Sequence, residues 1–315
     1  MMILRRLLML PFLLVAVSFI TFFLTSIVPG DIAEGIIIRK GGEPSEELIA
    51  TYHDELGLNQ GLFTRYGEWL GQAMKLDLGT SWVSEEPVVA ELAERIVPTF
   101  ILTGASIAIG IVVTLLLGTL AAYFKDTWID RLILGVSLVL KCIPEFLLAF
   151  ILLYFFAYHW AIFPLVGYGS FKSLILPSVV LGLGIGAAKA RLLRSSILEV
   201  WNLDYITMAR SKGLSKGKVL MKHALRNALI PITTTFGASV GHLLGGTVII
   251  ENIFNWPGLG RLALQAINTR DIPVLQGYVL FITIVIILVY LIVDLLYMYI
   301  DPRVKGKGGS SHGSA

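Results

Sequence analysis

Cysteine is nearly absent: Cys142 is the only one in 315 residues. That excludes an intrachain disulfide and any metal cage built from thiolates. Charge is scarce too. Asp, Glu, Lys and Arg make up 15% of the chain, against about 25% in soluble domains. No Gly-x-x-x-x-Gly-Lys-Ser/Thr occurs, so no P-loop holds a nucleotide, and no His-Glu-x-x-His occurs either. The histidines, His53, His159, His223, His242 and His312, are scattered, and no Ser or Asp stands at a catalytic spacing to them. The chain therefore reads as a non-enzyme that binds no cofactor of its own and no nucleic acid.

Apolar residues are abundant. They make up 56% of the chain, and the mean hydropathy is +0.78. A chain this apolar needs lipid around it, which predicts a polytopic, all-α membrane protein. Segments near the roughly 20 residues a span requires lie at Leu7–Ile27, Phe100–Phe124, Leu132–Tyr158, Leu174–Ala188, Leu229–Ile250 and Val274–Tyr297. The first has too long an apolar run, and no Ala-x-Ala site after it, for a cleaved signal peptide. Pro98 reads as a helix-start proline for the second. The third contains Lys141, Pro144 and Glu145 and reads as one kinked span. Cys142 reads as a small buried hydrophobe. The predicted organisation is a first span (1–28), a cap segment (29–97), a five-span core (98–303) and a flexible tail (304–315).

Six spans place both termini on one side, and positive charge says which. Lys189, Arg191, Arg194, Arg210, Lys212, Lys216, Lys218, Lys222 and Arg226 crowd one stretch, read as a loop from Lys189 to Arg226, opposed only by Glu199 and Asp204. The segment after the first span is acid-rich instead, with Glu43, Glu46, Glu47, Asp54, Glu55, Glu85, Glu86, Glu91 and Glu94. The basic stretch and both termini are predicted in the cytosol, and the acidic segment outside. Leu48, Leu56, Leu58, Leu62, Tyr66, Trp69 and Leu70 recur at helical spacing there, so it reads as a folded cap.

Residues 204–231 of the basic stretch carry helix-forming sequence on both sides of Gly213, with Asp204 a candidate N-cap. Glycine permits a turn, which predicts a helix–turn–helix across the cytosolic face. Two readings stay open on the residues alone: a docking knob for a moving partner, or a solvated basic loop that only fixes topology.

Tyr205-Ile-Thr-Met-Ala209-Arg210-Ser-Lys212-Gly213-Leu214 and its continuation His223-Ala-Leu-Arg226-Asn227-Ala-Leu-Ile-Pro231 resemble the coupling (EAA) loop of ABC importer permeases. Thr207-Met208-Ala209 stands where the pattern has Glu-Ala-Ala. The resemblance continues through Val28-Pro29-Gly30-Asp31, Glu55-Leu56-Gly57-Leu58, Asp77-Leu78-Gly79-Thr80-Ser81, the stretches from Ala190 to Val200 and from Gly245 to Arg261, and Asp301-Pro302-Arg303. Together these resemble the dipeptide/oligopeptide/nickel family, as the first of its two permease subunits. The short link Ala161–Lys172 is more similar to nickel-type members. The resemblance implies a bacterial inner-membrane importer. Its partners would be a second homologous permease, two ATP-binding subunits and an extracytoplasmic solute-binding protein. It assigns ATPase coupling to Tyr205, Thr207, Ala209, Arg210, Lys212, Gly213 and Leu214. The rival reading is a stand-alone secondary transporter or channel, though no internal repeat is visible.

Ionisable groups at membrane depth usually face a partner or a cavity. Lys141 and Glu145, four residues apart, fit a structural ion pair or a pathway lining. His242 suits a hydrogen bond between helices or a passing metal chelate. Glu251 is predicted at the outer mouth, where it lines the vestibule or caps the Asn255–Gly260 turn, and Asp294 in the sixth span is predicted to bond another helix. Gly182, Gly184 and Gly186 read as close helix packing.

Overall fold

The computed structural model describes residues 2–27 and 31–300. Val28–Gly30, Asp301–Arg303, the 304–315 tail and the side chain of Asp294, all used above, lie outside the described residues. Among the described residues the protein is helical, with a single isolated bridge between Thr80 and Pro87 and no strand. It is an all-α polytopic membrane protein. Five helices are long and apolar enough to span a bilayer, and a sixth candidate is a bent pair.

The helices are α1 (Met2–Ile27), α2 (Ile32–Arg39), α3 (Glu46–Glu55), α4 (Leu62–Ala73), α5 (Val88–Tyr123), α6 (Trp128–Cys142) and α7 (Glu145–Leu152). Then come α8 (Phe171–Trp201), α9 (Asp204–Ser211), α10 (Lys216–Val219), α11 (Leu225–Gly246), α12 (Val248–Ile253), α13 (Leu259–Thr269) and α14 (Ile272–Ile300). Two π-helical turns, Leu153–His159 and Leu220–Ala224, extend α7 and join α10 to α11.

Three expectations change. First, α5 starts at Val88, after Pro87, and carries Pro98 inside it. Its 36 residues are ~54 Å long at 1.5 Å per residue, more than a bilayer core of about 30 Å requires. Second, the third candidate span is broken rather than kinked. Pro144 has no N–H to donate, and the residue before a proline is pushed out of the helical region. Ile143 accordingly sits at ψ 124°, and the axes on either side diverge by 103°. Third, α8 extends to Trp201, so Lys189, Arg191 and Arg194 belong to a helix and not to a loop.

The chain divides into two compact units. One comprises Met1–Pro98 and Pro257–Ile287. Here Asp31 caps α2 by accepting from the Ala33 amide (2.8 Å) and also meets the His53 ring of α3 at 2.8 Å. The Glu55-Leu56-Gly57-Leu58 motif is a helix C-terminus: Gly57 has φ +62° and the Leu58 amide donates back to His53. The Asp77–Ser81 motif is a tight loop in which Gly79 has φ +80°. Ser81 Oγ donates to Asp271 Oδ2 (2.5 Å), fastening the loop to the start of α14. Tyr66 of α4 reaches the Val15 carbonyl (3.1 Å) and meets Ser18 Oγ (2.9 Å). Val15 lies twelve residues from the end of α1, ~18 Å along its axis. The cap helix α4 therefore lies alongside the first span rather than beyond its end.

The other unit comprises Thr99–Trp256 and the chain from Leu288. Its centre is α8 against α5. A Cβ on Gly182 would come within 2.7 Å of Ile109, and one on Gly186 within 2.6 Å of Val113. Only hydrogen fits there, which is the close packing predicted for these glycines. At one end of α8, Arg194 grips Asp130 of α6 through two bonds of 2.7 and 2.6 Å. Trp256, 2% exposed, packs edge-on to Tyr168 at 4.8 Å.

Candidate functional site

After α8 ends at Trp201, the short helix α9 turns one face inward. Ile206 is completely buried and Ala209, three residues on, is half-buried beside it. Ile206 joins a core cluster with Leu193 and Ile197 of α8, Val219 of α10, Leu220 and Ala224 of the π turn, and Ala228 and Ile232 of α11. Burying such a side chain is worth about 1.5–3 kcal/mol, so α9 is anchored to the bundle. Its outward face carries Tyr205, Thr207, Met208 and Arg210, continued by Lys212 and Leu214. Met208 is 64% exposed. The Tyr205 hydroxyl accepts from Asn227 Nδ2 at 2.6 Å, which tacks α9 to α11. The outward face is thus apolar at its centre and cationic around it.

Gly213 ends α9 as predicted for a turn glycine. Its φ is +77°, its amide donates to the Arg210 carbonyl (3.0 Å), and nothing stands within 4 Å of where a Cβ would be. Two details differ from expectation. The N-cap is Leu203, with Asp204 inside the first turn. The second helix is also no separate arm of a knob. From Lys216 the chain is helical through the π turn into α11, so it is the base of the fifth span itself. A force on α9 has one turn, at Gly213, between it and a membrane helix.

The polar residues predicted at membrane depth divide into two groups. Lys141, Glu145 and His242 lie exposed on the surface of their unit. Glu145 and His242 are within electrostatic reach of each other, and Glu145 lies against Gly184. The Lys141–Glu145 ion pair does not form among the described residues, because the break at Pro144 puts the two on different helices. Cys142, beside the break, is exposed and not buried. Glu251 is in the second group. It is 0% exposed, and its Oε1 accepts from Thr99 (2.8 Å) and Thr247 (3.1 Å). It is packed inside its unit, not at a mouth.

Two polar residues escaped the sequence reading. Lys189 donates to the Thr235 carbonyl (2.9 Å), sits 5.0 Å above the Phe236 ring, and lies within electrostatic reach of Lys141. Asp130 is 2% exposed and holds Arg194. A basic run hid the first, and the second is one acid in an otherwise ordinary first helical turn. Among the described residues no three His, Cys, Asp or Glu side chains gather closely enough to hold a metal ion.

Comparison with known proteins agrees with this geometry. Residues 114–306 match the family described as binding-protein-dependent transport system inner membrane component. Residues 1–103 match the N-terminal membrane component of the same systems. The glutathione transport system permease protein GsiC of Escherichia coli O6:H1 is 38% identical over 305 residues, covering 97% of this chain and 99% of the relative. GsiC of Salmonella paratyphi A is 38% identical over the same length, and that of Escherichia coli K12 is 37% identical. A solved structure of the MetNI methionine ABC transporter, inward facing, aligns with TM-score 0.58 at 18% identity, over 67% of this chain and 96% of that one. This last likeness concerns the fold alone. With the family match, the full-length relatives and the anchored α9 together, the chain belongs to the binding-protein-dependent transport system inner membrane components, as a permease subunit of an ABC importer.

Proposed function

We propose that this chain forms half of an import pathway for small peptides of the glutathione and di/oligopeptide type, opened and closed by ATP-binding subunits that dock on α9. The carrying observation is the combination of Ile206 buried beneath α9 with Met208, Arg210 and Lys212 exposed above it. A loop that only fixed topology would not need an inner face packed into the bundle. A second homologous permease would complete the pathway, and a solute-binding protein would deliver cargo outside. Tyr205, Thr207, Ala209, Arg210, Lys212, Gly213 and Leu214 carry the coupling. Lys141, Glu145, Lys189 and His242 supply polar contacts along the pathway.

The mechanism follows from attachment. ATP-driven closure of the docked subunits displaces α9. Because α9, the base of α8 and the base of α11 share one core, that displacement tilts membrane helices rather than bending a loop. No step requires chemistry from this chain.

The peptide-type cargo rests on the relatives named for glutathione. The nickel expectation rested on one short link and His242, whereas the relatives compared above are named for glutathione. The test is uptake of labelled glutathione, alanyl-alanine and nickel by proteoliposomes holding the complete complex with its binding protein. ATP-dependent uptake of glutathione or dipeptide supports the proposal. Uptake of nickel alone overturns the cargo, and uptake by the isolated chain without ATP overturns the coupling and favours the stand-alone transporter.

A further inference from the structure

Within the Met1–Pro98/Pro257–Ile287 unit is a cavity of about 430 Å³. Its volume falls within the range of small-molecule sites. One wall is a stripe of α4, namely Arg65, Glu68, Trp69 and Gln72, at offsets of three, four and seven residues that place them on one helix face. Asp54 and Glu55, at the end of α3, and the Trp82 indole stand elsewhere in the lining.

The charges in this cavity are arranged unusually. Arg65 shares the lining with three carboxylates, Asp54, Glu55 and Glu68. Yet no ion pair joins it to any of them among the described residues. The guanidinium instead lies over the Phe22 ring, 5.7 Å from its centre. It is half-buried, and burial pulls its pKa below the usual arginine value. A half-buried guanidinium with no counter-ion is costly, because its lost hydration is not replaced. Asp54 is engaged by Asn59 Nδ2 at 2.7 Å, while Glu55 and Glu68 are exposed. Arg65 and the carboxylates thus line a single space without pairing, with indole rings in its walls.

We infer that this cavity is a binding site for a zwitterion of the α-amino-acid or short-peptide type. The ligand's carboxylate would meet the planar donor fork of Arg65, and its ammonium would meet the exposed carboxylates of Glu55 and Glu68. The side chains between would lie against Trp69 and Trp82. A simple anion would face three carboxylates, and a simple cation would leave Arg65 unpaired. A molecule carrying both charges satisfies groups of both signs. The inference stands on this cavity alone and does not depend on which cargo crosses the membrane.

The test uses the full chain in lipid nanodiscs and equilibrium binding of radiolabelled alanyl-alanine. The competitors are N-acetyl-alanyl-alanine, which lacks the ammonium, and alanyl-alanine amide, which lacks the carboxylate. The expected result is saturable binding that each blocked form competes at least tenfold more weakly. In Arg65→Gln the free dipeptide should bind about tenfold more weakly, with no remaining preference over the amide. Arg65→Lys should retain part of that preference. In Glu55→Gln/Glu68→Gln the preference over the acetylated form should vanish instead. This crossed pattern separates recognition from a folding defect, and equal thermal unfolding midpoints confirm it. No saturable binding by the wild-type chain overturns the inference, as does equal competition by the blocked forms. A preference unchanged by Arg65→Gln overturns it too.

Discussion

Gly213→Val is expected to leave ATP hydrolysis by the complex running while import falls. The reasoning is local. Gly213 has φ +77°, and no atom lies within 4 Å of the site of a Cβ. A Cβ there clashes with nothing, so the effect argued for is backbone strain. A non-glycine residue in the left-handed region costs roughly 1–2 kcal/mol, and more when β-branched. At about 2 kcal/mol the native turn loses ~30-fold in population against relaxed alternatives. That rivals the ~1.5–3 kcal/mol that anchors Ile206, so α9 would spend much of its time out of register with the span it should move. Strain predicts a series. Gly213→Asn, which tolerates the left-handed region, should keep most import. Gly213→Ala should be intermediate and Gly213→Val low. Gly213→Pro, which also removes the amide that bonds Arg210, should be lowest. The assay is glutathione or dipeptide uptake and phosphate release measured in the same proteoliposomes. Full import by a well-assembled Gly213→Val complex would refute the reasoning, and so would a series ordered by side-chain size, with Asn below Ala.

The topology gives a labelling prediction. In a Cys142→Ser background, needed because Cys142 is exposed, a cysteine at Ser45 should react with an impermeant thiol reagent outside intact cells, and one at Ser215 should not. The reverse pattern inverts the orientation. Asp130→Ala strands the Arg194 guanidinium at the base of α8 and is expected to cost about 3 kcal/mol. It should appear as a lower unfolding temperature of the purified protein, with Asp130→Glu closer to wild type. The Asp31 carboxyl is held below its ordinary value of 3.8, chiefly by the His53 ring. A depressed carboxyl stabilises the fold above its unfolded pKa, and that contribution is lost as pH falls through the folded one. The contribution of the Asp31 carboxylate to the link between α2 and α3 should therefore be lost only as pH falls below about 4. Hydrogen exchange across residues 32–55 reads this, and loosening already at pH 6 would contradict it.

The spans, the turn at Gly213 and the glycine packing of α8 were legible because each has a local cause: apolar length, a φ only glycine adopts freely, a Cβ that will not fit. The helix limits were not. A hydropathy minimum ends a predicted span, but backbone hydrogen bonding continues until something stops it. The α5 helix runs from Val88 through Pro98, and α8 runs past Lys189 and Arg194 because Thr235 and Asp130 satisfy those cations. Such partners are 46 and 64 residues away in the chain, beyond any periodicity. The Lys141–Glu145 pair failed for the opposite reason. Its four-residue spacing presumed a helix that Pro144 breaks. For Glu251 the vestibule alternative assumed solvent near a span's end, while Thr99, 152 positions earlier, brings it a buried donor, and its backbone carbonyl accepts from the Trp256 amide (2.7 Å) of the turn it was expected to cap.

These placements bear on how motion at α9 could reach the pathway. Among the described residues, the unit of Thr99–Trp256 and the chain from Leu288 contains two apolar clusters that bear on this. One holds Ile206 together with the bases of α8 and α11. The other holds Leu102, Leu148, Leu176, Val180, Leu243 and Trp256. Ile107 of α5 and Ile185 of α8 pack against both. Packed interiors move as bodies rather than deforming continuously, so relative movement concentrates where the two bodies share fewest side chains. That level is Ile107 and Ile185, flanked on α8 by Gly182, Gly184 and Gly186. It is also where Glu145 lies against Gly184, one turn from Lys189 and its bond to Thr235. The polar groups of the proposed pathway are therefore mounted at the junction of the two bodies. On the proposed mechanism, a tilt that begins at α9 would change the spacing of Lys141, Glu145, Lys189 and His242 at that junction. With weak polar contacts placed there, the movement proposed to open the pathway would also release what it holds.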